Sequence, residues 1–290
     1  MSHVEVTDVY LRDGLQDEAV VVPTATKLEI ARALIAAGVP RIEVTSFVHP
    51  RRVPQLADAD DLVAQLPERG ATYAALVLND RGVDRAVAAG RTQVELVVSA
   101  SEAHSAANAG RSIADALSGL AGSVRRHPEA EFVAGVSTAF ECPFEGAITP
   151  DRLERIVGAL LEMGVTTIGL ADTLGTASTA QVLASVDAVR EAHPGAALSL
   201  HLHNANGQAL DTVIAAAREG IDRFDGALAG YGGCPFAPGA HGNLATESIV
   251  AALHANGFTT GIGEARLADA ASAARRAVAE GTPIPAPASA

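Results

Sequence analysis

Short runs rich in β-branched residues alternate along the chain with stretches that are apolar on one side only. Eight runs have the composition of buried strands, and they cover residues 4–10, 41–47, 72–78, 93–99, 131–138, 166–172, 198–204 and 223–230. Between and after them, apolar residues recur three and four positions apart, which predicts helices over residues 24–37, 57–66, 80–89, 112–126, 150–163, 178–192, 208–219, 245–256 and 264–280. Eight strand–helix units in one chain predict an α/β fold, a closed (β/α)8 barrel of the TIM type.

An open doubly wound sheet has the same alternation of strands and helices and is the structural alternative. Its usual mark is a glycine-rich phosphate loop after the first strand, but here that strand leads into LRDGLQDE. The sequence therefore favours the barrel. We predict a single TIM-barrel domain over residues 1–281 with an extra C-terminal helix, followed by a loose tail rich in Pro and Ala over residues 282–290.

The composition narrows the class of protein. Of the 290 residues, 48% are hydrophobic, which excludes disorder for most of the chain. The formal net charge of −13 gives no support to binding of nucleic acid or of an anionic membrane surface. The sequence has no membrane-length apolar run, no signal-peptide pattern and only two cysteines. We therefore expect a cytoplasmic protein that acts on a small molecule.

Lys27 is the only lysine in the sequence. Schiff-base aldolases and pyridoxal enzymes need a lysine amine as nucleophile or anchor. Lys27 falls within a predicted amphipathic helix, TATKLEIARALIAAG, where we expect it to be solvated on the surface. Carbonyl chemistry in this protein is therefore expected to use a metal ion or a hydrogen-bonded electrophile.

Polar residues gather where the predicted strands end. In TIM barrels the carboxyl ends of the strands form the catalytic face. The polar residues at or just beyond these ends are Arg12, Asp13, Glu43, Ser46, Asn79, Ser99, Glu102, Asp172, His201, His203, Cys234 and Asn243. Each could be an ordinary cap or turn residue, but their joint placement at one face predicts a site.

The sequence His201-Leu202-His203 is the sharpest local signal. Residues two apart on a strand point to the same side, so two imidazoles can chelate one divalent ion. Asp13 is a candidate third ligand, because strands one and seven lie only two strands apart around a closed barrel. Two histidines that are merely hydrogen-bonded in the barrel mouth remain the alternative.

The segment GYGGCPFAPGAHGN, residues 230–243, is a second signal. Its glycines allow close approach of the backbone to a ligand. Cys234 in this loop could be a general acid or base, or an inert small residue in a tight turn. We expect Cys142, in ECPFEG, to be structural.

Several long blocks of sequence carry a family resemblance. These blocks are LRDGLQDE (11–18), IEVTSFVHPRRVPQLAD (42–58), SASEAHSAAN (99–108), ECPFEG (141–146), GLADTLG (169–175), HLHNANGQAL (201–210) and GGCPFAPGAHGNLATE (232–247). In these blocks the chain resembles the 3-hydroxy-3-methylglutaryl-CoA lyases, metal-dependent TIM-barrel lyases, from about residue 4 to about residue 262.

The resemblance implies a role for each matching residue. It implies that Asp13, His201, His203 and Asn243 ligate a divalent cation, Mg2+ or Mn2+. It further implies that Arg12 polarises a thioester carbonyl and that Glu43 holds Arg12 in place. Cys234 is implied to assist proton transfer, and Asp172 to help order the substrate or its proton relay. The implied partner is an acyl-CoA substrate, and the implied assembly is a homo-oligomer, a dimer or a tetramer.

The sequence also departs from the family pattern. Ala19 and Val133 stand where the family usually has Lys and Arg, and Asn204-Ala205-Asn206 replaces Asp-Thr-Tyr. The expected reaction is metal-dependent cleavage of a 3-hydroxyacyl-CoA to acetyl-CoA and an oxo acid, with a variant substrate. An aldolase or an acetyl-CoA-dependent condensing enzyme is the first alternative. A non-catalytic acyl-CoA-binding paralogue is the second, although a pure binder does not need the predicted ligand set.

Overall fold

Eight parallel strands form the centre of the molecule. A computed structural model describes residues 2–90, 92–233 and 242–284. The strands are β1 (Glu5–Asp8), β2 (Arg41–Ser46), β3 (Thr72–Val77), β4 (Thr92–Ser99), β5 (Phe132–Ser137), β6 (Ile168–Asp172), β7 (Leu198–Leu202) and β8 (Arg223–Gly226). Each strand pairs with the next along the chain, and β1 pairs in parallel with both β2 and β8, so the sheet closes on itself. The predicted (β/α)8 barrel is confirmed.

Ten α-helices surround or follow the strands in the described part of the chain. They are α1 (Thr24–Ala37), α2 (Ala59–Gln65), α3 (Asp80–Ala89), α4 (Glu102–Ala109), α5 (Ile113–Arg126), α6 (Pro150–Glu162), α7 (Thr179–Ala192), α8 (Ala209–Arg218), α9 (Thr246–Ala255) and α10 (Glu264–Ala279). Nine of them match the predicted helices to within two residues at each end. The short helix α4 was not predicted, and it follows β4 at the carboxyl end of the barrel.

Aliphatic side chains between the strands and the helices make up the core. Each strand carries fully buried Val, Leu or Ile residues, and the facing helices contribute Leu, Ile, Val and Ala. Helix α10 packs on α1, and the Tyr10 hydroxyl below it donates to the carbonyl of Ala274 at 2.9 Å. Burial of this apolar surface is the main force that holds the helices on the barrel.

The first residues of the predicted tail are tied to the barrel rather than free. Thr282–Pro283 pairs in an antiparallel manner with Val20–Val21, and the Ile284 amide donates to the Ala19 carbonyl at 2.9 Å. Residues 285–290 lie outside the described part of the chain. The boundary predicted at residue 282 thus falls inside a two-stranded pairing.

Lys27 is buried, and the prediction that it is solvated was wrong. Its side chain is 0% exposed, and Nζ lies 2.6 Å from Asp58 Oδ1 and 2.7 Å from the Gln55 carbonyl oxygen. The segment before α2 folds over the first turn of α1 and covers this position, a contact that local sequence does not reveal. Burial lowers the pKa of Lys27, against the opposing effect of Asp58. Because its amine is used here, Lys27 takes no part in carbonyl chemistry.

The helices were also compared with the dimensions of a lipid bilayer. Among the residues that the structure describes, none of the helices combines the length and the apolar character needed to cross a membrane.

Candidate metal and active site

The site begins where β1 ends. Residues Tyr10–Gly14 form one turn of π-helix, in which the Asp13 and Gly14 amides both donate to the Val9 carbonyl, at 2.8 and 3.2 Å. Single π turns are rare and occur mostly at functional sites. This turn is fully buried and places Arg12 and Asp13 at the carboxyl end of the barrel.

Asp13, His201 and His203 converge there. The Nε2 atoms of the two histidines lie 3.2 Å apart, and each lies 4.0 Å from Asp13 Oδ2. One ligand atom from each of the three residues falls within 4.8 Å of the others. Cis ligands of an octahedral ion at about 2.1 Å are about 3 Å apart, so small side-chain shifts would let all three bind one cation.

The surroundings of the two imidazoles favour lone pairs directed at the cluster. His201 Nδ1 lies 3.4 Å from Asp225 Oδ2, a partner that orients the ring and places the proton on Nδ1. His203 Nδ1 is buried without a hydrogen-bond partner among the described residues. Two imidazole nitrogens and a carboxylate oxygen thus face one point, and this donor set suits a divalent cation.

The charge states agree with this arrangement. Burial alone would raise the pKa of Asp13, but Arg12, the two histidines and Asn243 lower it to about 2. Burial, together with the neighbouring His201, lowers the pKa of His203 to about 4. Asp13 is therefore ionised and His203 is neutral at pH 7, as metal ligands must be.

Asn243 reaches the same cluster from the strand-like segment that pairs with His203. Its amide nitrogen donates to Asp13 Oδ2 at 2.6 Å and to the Tyr231 carbonyl at 2.9 Å. The predicted metal ligand was the amide oxygen, whereas here the nitrogen faces Asp13. Asn243 therefore lies where the prediction needs it, and its role as a ligand stays a prediction.

Arg12 is held between two carboxylates. Its Nη1 contacts Asp13 Oδ1, and its Nε lies 2.7 Å from Glu43 Oε2. Glu43 is 1% exposed, and burial raises its pKa against the opposing charge of Arg12. The pairing of β2 with β3 shifts register between Glu43 and Thr45, a bulge of the kind that redirects side chains near active sites.

A cavity of about 480 Å3 opens from this cluster into the barrel. Among its lining residues are five of the predicted polar residues, Arg12, Asp13, Ser46, His201 and His203. Glu43 is not among them and lies behind Arg12. The largest concave, partly apolar cavity with convergent polar groups is the expected place for a substrate.

Asp172 also lies behind the cavity wall. Its two oxygens accept hydrogen bonds from the Gly175 amide at 3.0 Å and the Ala177 amide at 3.1 Å. Burial raises its pKa to about 6, against the effect of these hydrogen bonds. A Cβ at Gly175 would lie 2.7 Å from the carbonyl carbon of His203, so this loop packs directly on the end of β7. The structure thus places Asp172 as a support for the loop rather than in the cavity.

Three other predicted polar residues have structural contacts. Asn79 caps α3 by accepting from the Gly82 amide at 3.0 Å, and Glu102 accepts from the Ile113 amide at 3.0 Å. Ser99 is buried in a hydrogen-bonded network at the end of β4. Cys142 is buried and donates to the Ser101 hydroxyl. Cys234 lies outside the described residues.

The positions that depart from the family pattern have different surroundings. Val133 lines the cavity, whereas Ala19 is exposed beside the Thr282–Pro283 pairing. Asn204 accepts from the Ala209 amide at 3.1 Å, and Asn206 donates to the carbonyls of residues 176 and 177. Of these departures, Val133 is the one that changes the cavity wall.

Sequence reasoning missed two residues of the site, Asp225 and His104. Asp225 is paired in register with His201 across β7 and β8, and a lone carboxylate inside an apolar strand was the available signal. His104 lines the cavity from α4, a helix that was not predicted.

The fold and the cluster define a TIM-barrel enzyme whose site can hold a divalent metal. The family profile described as HMGL-like matches residues 3–273. The (R)-citramalyl-CoA lyase of Chloroflexus aurantiacus is 42% identical over 90% of this chain and 87% of that protein. The hydroxymethylglutaryl-CoA lyase YngG of Bacillus subtilis is 38% identical over 92% of this chain and 91% of that protein.

A solved structure agrees with these matches. The HMG-CoA lyase of Acinetobacter baumannii, in complex with coenzyme A and 3-methylmalate, superposes with a TM-score of 0.91 at 37% identity, covering 97% of this chain and 93% of that one. The chain belongs to the HMGL-like family. The resemblance inferred from the sequence is confirmed, and so is the reaction class, a carbon–carbon lyase.

Proposed function

We propose that this protein is a divalent-metal-dependent lyase that cleaves a tertiary 3-hydroxyacyl-CoA into acetyl-CoA and an oxo acid. The observation that carries the proposal is the convergence of Asp13, His201 and His203 beside the Arg12 guanidinium, at the mouth of a cavity inside the barrel. The relatives named citramalyl-CoA lyase and hydroxymethylglutaryl-CoA lyase support this substrate class. The complex with coenzyme A supports a thioester of coenzyme A.

The reaction breaks the bond between C2 and C3 of the acyl group. The C3 hydroxyl loses its proton and C3 becomes the carbonyl of the oxo acid. The electron pair of the broken bond moves to C2 as a thioester enolate, and a proton added at C2 gives acetyl-CoA. A divalent cation bound by the cluster, Mg2+ or Mn2+, would lower the pKa of the hydroxyl.

Arg12 is proposed to stabilise the charge of the enolate oxygen. Its Nη1 and Nε face Asp13 and Glu43, and among the described residues Nη2 has no carboxylate partner. A guanidinium fixed by two carboxylates needs no reorganisation when charge develops on the thioester oxygen. Glu43, 1% exposed, acts through Arg12 by setting its position.

Other predicted roles are kept as proposals. Cys234 is proposed to deliver the proton to C2 from the glycine-rich loop. Asp172 is proposed to act indirectly, because its carboxylate holds the loop that packs on the end of β7. Asn243 is proposed as the fourth ligand, with its amide turned so that the oxygen faces the ion. The cytoplasmic location and the dimeric or tetrameric assembly rest on the sequence and stay predictions.

The test is a panel of thioesters with controlled metal content. Purified protein is stripped with a chelator, reloaded with Mg2+ or Mn2+, and offered 3-hydroxy-3-methylglutaryl-CoA and citramalyl-CoA, with acetyl-CoA as the readout. We expect metal-dependent release of acetyl-CoA from at least one of them. A parallel mixture of 2-oxo acids with acetyl-CoA tests the condensing alternative. Turnover only in that mixture would overturn the proposal.

A further inference from the structure

His104 lies on the wall of the cavity that faces the metal-ligand cluster across the barrel. It is 2% exposed and lines the cavity from the first turn of α4, where its amide donates to the capping Ser101 hydroxyl at 3.1 Å. Helix α4 follows β4, which is three strands away from both β1 and β7 around the closed sheet. His104 and the cluster therefore stand on opposite sides of the space that a substrate occupies.

A chain of hydrogen bonds fixes the tautomer of this ring. The Thr138 hydroxyl donates to the Ser137 carbonyl at 2.7 Å, so its oxygen can only accept from Ser99 Oγ, 3.0 Å away. The single proton of Ser99 is thus directed to Thr138. Ser99 Oγ must therefore accept from His104 Nδ1, which lies 3.0 Å from it. The proton of the neutral ring sits on Nδ1, and Nε2 carries the lone pair.

The network depends on an unusual backbone conformation. Thr138 has a φ of 51°, in the left-handed region that β-branched residues rarely adopt. Its amide donates to Thr173 Oγ1 at 2.7 Å, and its hydroxyl joins Ser99 to the Ser137 carbonyl. Such a conformation costs about 1–3 kcal/mol and tends to persist at functional sites. The strained residue is the one that determines which nitrogen of His104 is protonated.

The ring is neutral at physiological pH. Burial lowers the pKa of His104 below its ordinary value. A neutral imidazole with its proton on Nδ1 presents Nε2 as an acceptor, which attracts a hydroxyl or an amide N–H and repels a carboxylate.

We propose that His104 contacts the substrate and accepts, through Nε2, a hydrogen bond from a hydroxyl or amide N–H of the acyl thioester. Ser99 and Thr138 are positioning residues that keep the lone pair on Nε2. The inference rests on the proposed function for the identity of the ligand as a thioester. It adds that carboxylates of the acyl group belong on the side of Arg12 and the metal ligands, and that a donor group belongs on the side of α4.

Binding measurements test the contact. The Phe variant H104F fills the space without an acceptor, whereas H104Q restores an oxygen near the position of Nε2. H127F changes an exposed histidine of α5 and serves as the matched control. Dissociation constants for 3-hydroxy-3-methylglutaryl-CoA, citramalyl-CoA and coenzyme A itself are measured by calorimetry on the metal-loaded protein. Loss of one buried hydrogen bond predicts roughly ten- to hundredfold weaker binding in H104F.

The outcomes separate the inference from the proposed function. Weakening for the thioesters alone places the donor in the acyl group, and weakening for coenzyme A as well places it in the pantetheine arm. Either result with partial rescue in H104Q supports the contact. Unchanged binding of all three ligands in a folded H104F protein overturns it. Binding is measured without turnover, so a protein that cleaves neither thioester refutes the proposed function and still tests His104.

The tautomer is tested separately by NMR. Histidine-selective 15N labelling, with H104Q used to assign the signal, reports which ring nitrogen carries the proton. We expect protonated Nδ1 in the wild type and loss of this single tautomer in S99A, together with a higher KM and a smaller change in kcat. A proton on Nε2 of the wild-type ring would overturn the inference.

Discussion

Removing Asp58 should destabilise the protein more than removing Lys27, although the two form one ion pair. Lys27 is 0% exposed and its Nζ contacts only the Asp58 carboxylate and the Gln55 carbonyl among the described residues. The D58A variant leaves a buried ammonium with one neutral acceptor, which costs about 3–5 kcal/mol of unfolding free energy. K27M removes the charge and leaves Asp58, which is 19% exposed and still accepts from the Thr24 hydroxyl at 2.6 Å. Its expected cost is about 1–3 kcal/mol.

The double variant K27M/D58A sharpens this prediction. Without the buried ammonium, the loss of Asp58 should cost little more, so the double variant should resemble K27M. The coupling between the two sites is then about 2–3 kcal/mol. Urea unfolding at pH 7 gives the free energies from the midpoint and slope. The control is D60A, which removes a largely exposed partner of Arg85 and should change stability by less than about 1 kcal/mol. Additive costs, or a D58A protein more stable than K27M, would refute the reasoning.

Three further predictions concern the site and the base of β1. R12M should lower kcat on a cleaved thioester by about 10²- to 10³-fold with unchanged metal content by atomic emission; near-normal turnover would remove Arg12 from the charge-stabilising role. H203A should abolish stoichiometric metal binding, and D225N should weaken it by about 10- to 100-fold by titration; full occupancy in H203A would remove it from the ligand set. Burial raises the pKa of Asp8 to about 7, so the fold favours the protonated form and this carboxyl makes stability fall as pH rises from about 4 to 7. Relative to wild type, D8N should therefore gain on the order of 2 kcal/mol between pH 5 and pH 8 in urea unfolding, and an equal offset at both pH values would contradict the assignment.

The barrel was predictable because its signals are local. Strands such as QVELVVS and helices such as α6 have strong periodicity and end at glycine or proline, so the pattern alone determines their type. Helix α4 was missed because SEAHSAANA mixes small and polar residues without an apolar stripe. Its bounds come from Ser101 at one end and Gly110, with φ 69°, at the other.

The site was predictable in part. The histidine pair follows from strand geometry, and Asp13 follows from the closure of the barrel. The contact of Asp225 with His201 depends on the register between β7 and β8, which no local pattern gives. The burial of Lys27 depends on a segment about 30 residues away folding over it. The role of Asp172 was misplaced because the carboxylate turns back to the amides of its own loop.

The central claim is that one divalent ion at Asp13, His201 and His203 enables cleavage of a 3-hydroxyacyl-CoA. The most direct measurement follows acetyl-CoA release from 3-hydroxy-3-methylglutaryl-CoA and citramalyl-CoA by one preparation in three states: as metal-stripped protein, after reloading with Mg2+ or Mn2+, and with chelator again in excess. The account predicts release in the reloaded state alone, at one metal ion per chain. Equal release in all three states, or no release from either thioester by fully loaded protein, would contradict it.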